Sequence, residues 1–206
     1  MSLSQVKTRI DRMTGQRDRI KTDIQLTEDN IEQTKTKLKN LEKAQAIVRE
    51  VGKQTQEQLE FHISELVSLA LSAVFDDPYE FKLKFVLRRG KTEADLLFIK
   101  NGQEMNPIDS SGGGPIDVAS YALRVAMWSL AKPRTRAVLV LDEPFRFLSR
   151  DLQPRASKML KMVHKKLGLQ HIMVSHSPDL IDGADKIFEV VQQGQRSSLV
   201  GKRESE

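Results

Sequence analysis

Ala137-Val138-Leu139-Val140-Leu141-Asp142-Glu143-Pro144 is the stretch that decides the fold. Its unbroken apolar run predicts a parallel strand buried on both faces. Two carboxylates follow at the C-terminal end, where open α/β sheets place their ligand crevices. A strand end holds a carboxylate rigidly. Asp142 is therefore a candidate Mg²⁺ ligand, acting through water. Glu143 is a candidate base that orients and deprotonates an attacking water. A buried strand that merely ends in surface acids has the same pattern, so the flanking sequence must discriminate.

Downstream, a helix is expected over residues 151–167. A short strand follows over residues 171–175, and His176 stands at its end, where an imidazole can touch or sense a phosphate. A short helix at 178–181, a strand at 186–191 and a last strand near 197–200 complete the chain, with a loose polar tail from 201. Upstream, a helix from 115 to 131 is preceded by Ser110-Ser111-Gly112-Gly113-Gly114. Successive glycines let backbone N–H groups converge on an anion, and the helix adds its positive end. Ser111 adds a hydroxyl. Asp117 favours that positive end, and Met127 and Trp128 read as core residues of the same helix. Residues 79–88 alternate well and residues 92–99 more weakly, which predicts a β-hairpin. Asn101-Gly102 marks a further tight turn.

The first sixty residues differ. With position a at Leu3, the a and d positions of seven heptads are Leu3, Val6, Ile10, Met13, Arg17, Ile20, Ile24, Thr27, Ile31, Thr34, Leu38, Leu41, Gln45 and Val48, ten of fourteen apolar. That pattern defines a coiled-coil seam. A helix of about 50 residues is about 75 Å long, so a second helix should cover it. The pattern weakens at Gly52 and Thr55, and a wider apolar face from Leu59 to Phe75 enters a globular part, ending at Asp76-Asp77-Pro78. The expected organisation is an arm over 1–57, a globular lobe over 58–200 and a tail over 201–206.

Composition bounds the rest. The chain has 206 residues, 39% hydrophobic and 30% charged, with a net charge of +5. It has no cysteine, which removes disulfides, thiol catalysis and Cys-based metal sites. No run of 18 apolar residues and no leader pattern is visible, so an intracellular location without membrane contact is expected. Lys158, Lys161 and Lys165, with Lys166 beside them, form one basic stripe, and Arg88, Arg89 and Lys91 form a second patch. Both are candidate phosphate contacts, although either also reads as a solvated face.

The order of these motifs is more specific than any one of them. Asp142 lies 29 residues after Gly113, and His176 lies 33 after Glu143. In this order the chain resembles the C-terminal half of an ABC-type ATPase head of the SMC superfamily, and more closely the double-strand-break repair ATPases that partner a nuclease. The resemblance implies an α/β fold: the signature and Walker B lobe of a P-loop ATPase head, with a β-hairpin and a preceding coiled-coil helix. It implies that Ser111-Gly112-Gly113 is the signature loop, Asp142 and Glu143 the Walker B aspartate and catalytic glutamate, Asp151 the D-loop aspartate and His176 the switch histidine. The sequence departs from the family pattern at Ser110 and Gly114, where an apolar residue and Gln or Glu are usual, and in its D-loop.

A phosphate-binding loop of the form GxxxxGK[ST] is missing. Gly90-Lys91-Thr92 has Phe85 where the first glycine belongs and joins two strands, so it reads as a hairpin turn. The chain looks like half a head. The resemblance then implies ATP and Mg²⁺ as cofactors. It implies as partners an N-terminal Walker A half-head (a separate chain or a missing segment), a second head in an ATP-sandwiched dimer, a nuclease subunit and DNA. ATP hydrolysis is expected only with that N-terminal lobe, and negligible without it. The competing reading is a non-hydrolysing coiled-coil dimerisation or adaptor protein with a vestigial lobe. A transporter-type ABC subunit fits poorly, because it lacks a long arm before the signature loop.

Overall fold

The computed structural model describes residues 3–181, 183–194 and 196–204. The chain divides into two compact units, Met1–Thr55 and Gln56–Glu206. Helix α1 runs without a break over Leu3–Val74. No proline precedes Pro78. Thr8, Thr22, Thr27, Thr34 and Thr55 each donate their hydroxyl to the carbonyl four residues back, so they satisfy themselves on the helix instead of competing with it. In the first unit the apolar seam from Leu3 to Val48 is exposed.

The second unit begins with the base of α1, whose Ile63, Val67, Leu71 and Val74 are buried. Strands β1 (Glu80–Arg88), β2 (Lys91–Lys100) and β3 (Gln103–Met105) form an antiparallel sheet in that order. Arg89-Gly90 and Asn101-Gly102 turn the chain with all four φ angles positive, as tight hairpins require. The fragment Gly90-Lys91-Thr92 is thus a turn entering β2.

Strand β1 is the edge of this sheet, and α1 closes it. Glu60, Ser64 and Ser68 stand four residues apart on one helix stripe. Ser68 Oγ accepts the Phe81 amide at 2.8 Å and Ser64 Oγ the Leu83 amide at 2.9 Å, while Glu60 accepts the Phe85 amide. A turn of helix advances about 6 Å per four residues and a strand about 6.8 Å per two, so the two spacings stay matched over three rungs. The turn after α1 is pinned by two ion pairs, Arg155–Asp76 and Lys100–Asp77, each at 2.6 Å.

A short helix α2 (Pro107–Ser110) leads into α3 (Gly113–Leu130), followed by β4 (Val138–Asp142), α4 (Gln153–Leu167), β5 (Gln170–Val174), α5 (Pro178–Ile181), β6 (Lys186–Gln193) and β7 (Arg196–Glu204). Strands β4 and β5 pair in parallel, and β6 and β7 form an antiparallel hairpin. The mixed α/β fold with a hairpin and a preceding long helix is as expected from the sequence. One core joins the base of α1, Phe81 and Phe98, Val118 and Tyr121 of α3, Leu141, Phe145 and Leu148, and Met159 and Leu160 of α4.

Three expectations are corrected, and two elements are added. β4 is not buried on both faces: Leu141 is buried, but Val138 and Val140 are exposed, because nothing in the described chain covers that side. α3 starts at Gly113 rather than 115, so two of the loop's three glycines are helix. β3 and α2 are elements that the sequence pattern does not announce. β7 continues to Glu204, so 201–204 of the tail expected to be loose are strand, paired with the start of β6. Residues 205 and 206 lie outside the described residues.

Candidate functional site

The site is built at the C-terminal ends of β4 and β5. Side chains alternate along a strand, so Val138, Val140 and Asp142 share one face of β4. Their register partners Gln170, Ile172 and Val174 share that face of β5. It is open: Val140 is 73% exposed, Ile172 50% and Val174 59%. Asp142, also exposed, closes this apolar surface with a carboxylate at its rim.

Glu143 extends the ladder by one bond, its amide donating to the Val174 carbonyl at 2.9 Å. The chain then bends sharply. Glu143 has φ 43° and Phe145 φ 62°, both left-handed and both non-glycine. Such residues persist only where surrounding contacts hold them, and they cluster at functional sites. The Glu143 side chain is turned inward, 29% exposed, and its Oε1 is shielded from solvent with no hydrogen-bond partner. His176 Nε2 lies 3.4 Å from that oxygen, within ion-pair range but without hydrogen-bond geometry, and its imidazole is 94% exposed. Asp142, Glu143 and His176 are therefore brought to the adjacent C-terminal ends of β4 and β5.

Ser111 caps α2: its amide and hydroxyl both donate to the Pro107 carbonyl, the hydroxyl at 2.6 Å. Gly112 is the N-cap of α3 in an extended conformation and provides no side-chain cap, so the first amides of that 18-residue helix keep their donors directed out of its end. Gly113 packs against Phe147: a Cβ there would stand 2.6 Å from the Phe147 Cβ. This brings the glycine loop beside the turn that follows Glu143. Asp151 stands apart, exposed ahead of α4, and its charge acts on Arg155.

Sequence reasoning missed the residues that support this turn. Asp117 does not serve the positive end of α3. Because α3 starts at Gly113, it lies beyond the first turn, and its Oδ2 accepts the Phe147 amide at 2.9 Å. Tyr121 sets its ring edge-on to Phe145, centroids 5.5 Å apart, and its hydroxyl meets His171 Nε2 at 2.8 Å. Burial pushes the Tyr121 pKa up and the His171 pKa down, the latter with help from His164. A period of four through Gly113, Asp117 and Tyr121 was the available signal. Met127, expected in the core, is instead exposed, and the Trp128 indole N–H donates to the Arg136 carbonyl at 3.3 Å.

Of the two basic patches, Lys158, Lys161, Lys165 and Lys166 are all exposed on α4. Arg88 is tied down, its guanidinium bonded to Asp95 at 2.7 Å through two nitrogens and to Glu93 at 3.3 Å. No helix among the described residues is long and apolar enough to cross a membrane.

Comparison with solved structures places the fold. The chain matches the SMC head bound to the C-winged helix domain of ScpA with a TM-score of 0.56 and 18% identity, over 75% of this chain and 45% of that one. A structure described as concerning ATP-driven dimerization and DNA stimulated activation of SMC ATPases matches at 0.55 and 17%, over 73% and 89%. This fold, together with the sequence likeness to the relatives that follow, is that of the C-terminal part of an ATPase head of the SMC superfamily. Within that class, the chain is similar to the DNA double-strand break repair Rad50 ATPase of Pyrococcus abyssi, 30% identical over 146 residues, 70% of this chain. The Rad50 ATPase of Archaeoglobus fulgidus is 30% identical over 128 residues, 60% of this chain. The chain spans 16% and 14% of the length of these two relatives. No protein-family model matches it.

Proposed function

We propose that the chain is one lobe of a composite ATP site in a Rad50-like head, and that it hydrolyses ATP only when a Walker A lobe docks on the open face of β4 and β5. The single observation that carries this reading is that face. Val138, Val140, Ile172 and Val174 form an apolar surface, and the carboxylate of Asp142 stands on the same face at its rim. Whatever covers the aliphatic patch is delivered to the carboxylate.

The donor set suits Mg²⁺ bound in company with a nucleotide. Mg²⁺ commonly takes one or two carboxylates plus substrate phosphates, and the described residues gather no cluster of three or more metal-binding groups. Asp142 would hold it. Bound there, the ion would neutralise charge on the phosphates. Glu143 offers a shielded oxygen without a hydrogen-bond partner that would accept a hydrogen bond from the attacking water and then its proton. His176 would meet the phosphate from the next strand. The amides at the start of α3, with Ser111, Gly112 and Gly113, would contact nucleotide held by a second head. Ser111 must first turn its hydroxyl away from Pro107. Asp151 would lie at the same interface.

DNA, a nuclease subunit and repair or recombination enter through the Rad50 likeness. The exposed lysine stripe on α4 supports a DNA contact. The arm seam supports pairing with an ascending helix of an N-terminal half.

The test is reconstitution. ATP turnover is measured for the chain alone, for a Walker A half-head alone and for the two together, with Glu143→Gln in parallel. Turnover is expected only in the mixture and only with Glu143. Glu143-dependent turnover by the chain alone would overturn the proposal, and so would an inert mixture that nevertheless assembles.

A further inference from the structure

We propose that Asp117 and Tyr121 are positioning residues that hold the Glu143 turn from helix α3 and so link the glycine loop to the candidate base. The inference rests on the proposed role of Glu143.

The turn needs an external hold. Glu143 and Phe145 are both in the left-handed region, which strains a non-glycine residue. One ladder bond, from the Glu143 amide to Val174, ties it to the sheet. Further support comes from one stripe of α3. Residues 113, 117 and 121 stand one above another at a spacing of four. Gly113 lets the Phe147 side chain approach where any Cβ would collide. Asp117 fixes the Phe147 amide, and Tyr121 packs its ring on Phe145. Each contact demands its residue type: no side chain, an acceptor and an aromatic.

Tyr121 closes the circuit. Its hydroxyl is bonded to His171 of β5, the strand whose last residue carries the Glu143 amide. The turn is therefore held between α3 and β5, and Tyr121 touches both sides. The N-terminal end of α3 adjoins the loop Ser111-Gly112. A helix this short moves as a rod, so a ligand that shifts its N-terminal end shifts Asp117 and Tyr121 with it. Glu143 then responds to occupancy of the glycine loop without touching that ligand.

Two measurements test the idea. In the isolated chain, amide exchange is followed by NMR for wild type, Asp117→Ala, Asp117→Asn and Tyr121→Phe. Asp117→Ala should speed exchange at Phe147 by about tenfold while the β1–β2 amides keep their protection. Asp117→Asn retains an acceptor and should restore it. In the reconstituted head, Asp117→Ala should lower kcat by about tenfold or more with KM for ATP within about twofold, and Asp117→Asn should recover it. Tyr121→Phe keeps the ring and should give a smaller loss in kcat. Unchanged Phe147 exchange in Asp117→Ala overturns the proposal, whatever the head does. So does wild-type kcat in a variant whose Phe147 amide has been loosened. A wild-type head without turnover refutes the composite-site reading, while the exchange experiment still decides whether α3 holds the turn.

Discussion

Val140 on β4 stands directly across from Ile172 on β5, and both side chains open to solvent. Neighbouring aliphatics exposed on a sheet face are unusual in a free-standing lobe and mark an interaction surface. Val140→Lys and Ile172→Thr should therefore change the stability of the isolated chain by no more than about 0.5 kcal/mol, as ordinary surface substitutions do. The same changes should abolish association with a Walker A half-head. Denaturation curves and co-purification check the two halves separately, and retained association would refute the assignment of this face.

The two glycines of the loop should behave differently. Nothing stands within 4 Å of a Cβ at Gly112, whereas one at Gly113 would meet the Phe147 Cβ at 2.6 Å and Cγ at 2.7 Å. Gly113→Ala should cost about 1–3 kcal/mol, the usual range for overpacking, and Gly112→Ala much less. Gly183→Ala should cost less than Gly113→Ala, because the atom its Cβ would meet at 1.8 Å is the Ser157 hydroxyl, which can rotate away. Equal denaturation midpoints for the Gly112 and Gly113 variants would contradict this packing.

Stability should fall in mild acid through His171. Burial first, and the neighbouring His164 second, hold its folded pKa below the ordinary histidine value of about 6.5. Between that lower value and about 6.5 the unfolded chain binds more protons, so stability is full above about 6.5 and declines as pH drops below it. The only hydrogen bond of the ring among the described residues is with Tyr121, which stays neutral throughout this range. His171→Gln should flatten this part of the acid slope in urea titrations between about pH 7.5 and 5. An identical slope in the variant would exclude His171 as the source.

The rungs between α1 and β1 should be measurable one at a time. Ser64→Ala and Ser68→Ala each leave a β1 amide without its acceptor, at about 1 kcal/mol per rung. Glu60→Gln keeps an acceptor for Phe85 and should be milder than Glu60→Ala. Hydrogen exchange at Phe81, Leu83 and Phe85 would localise each loss, and uniform exchange across the variants would argue against separate rungs.

For DNA, replacing Lys158, Lys161 and Lys165 by Gln in the assembled head should weaken binding equally for unrelated sequences. The dependence of log K on log salt should become shallower by about 0.9 for each phosphate no longer neutralised. An unaltered slope would remove α4 from the interface.

Where local chemistry is self-sufficient, the sequence was legible. The hairpin, the two strands β4 and β5 and α4 followed from alternation, an apolar run and a helical period, and Asp142, Glu143 and His176 were placed at strand ends by the same reasoning. What escaped depends on contacts between segments distant in the chain. The apolar run in β4 implied two covered faces, because hydrophobicity reports a partner without saying whether the described chain supplies it. Asp117 looks like a helix-dipole charge until the start of α3 is fixed by how Gly113 packs on Phe147. Glu60, Ser64 and Ser68 look like ordinary solvated helix positions, since only the fold brings the edge of β1 alongside.

That closed edge has a consequence for solubility. The β1–β3 sheet offers no row of free amides on the α1 side, so a foreign strand cannot template there. β4 and β5 pair only with one another among the described residues, leaving open edges beside an oily surface. Of these two sheets, the carboxylate-bearing one joins open edges to an oily face, while the β1–β3 sheet leaves unpaired only the side of β2 and β3 away from α1. Aggregation through the β4–β5 sheet should therefore start beside Asp142, and a docked complement would act as its chaperone before it acted in catalysis.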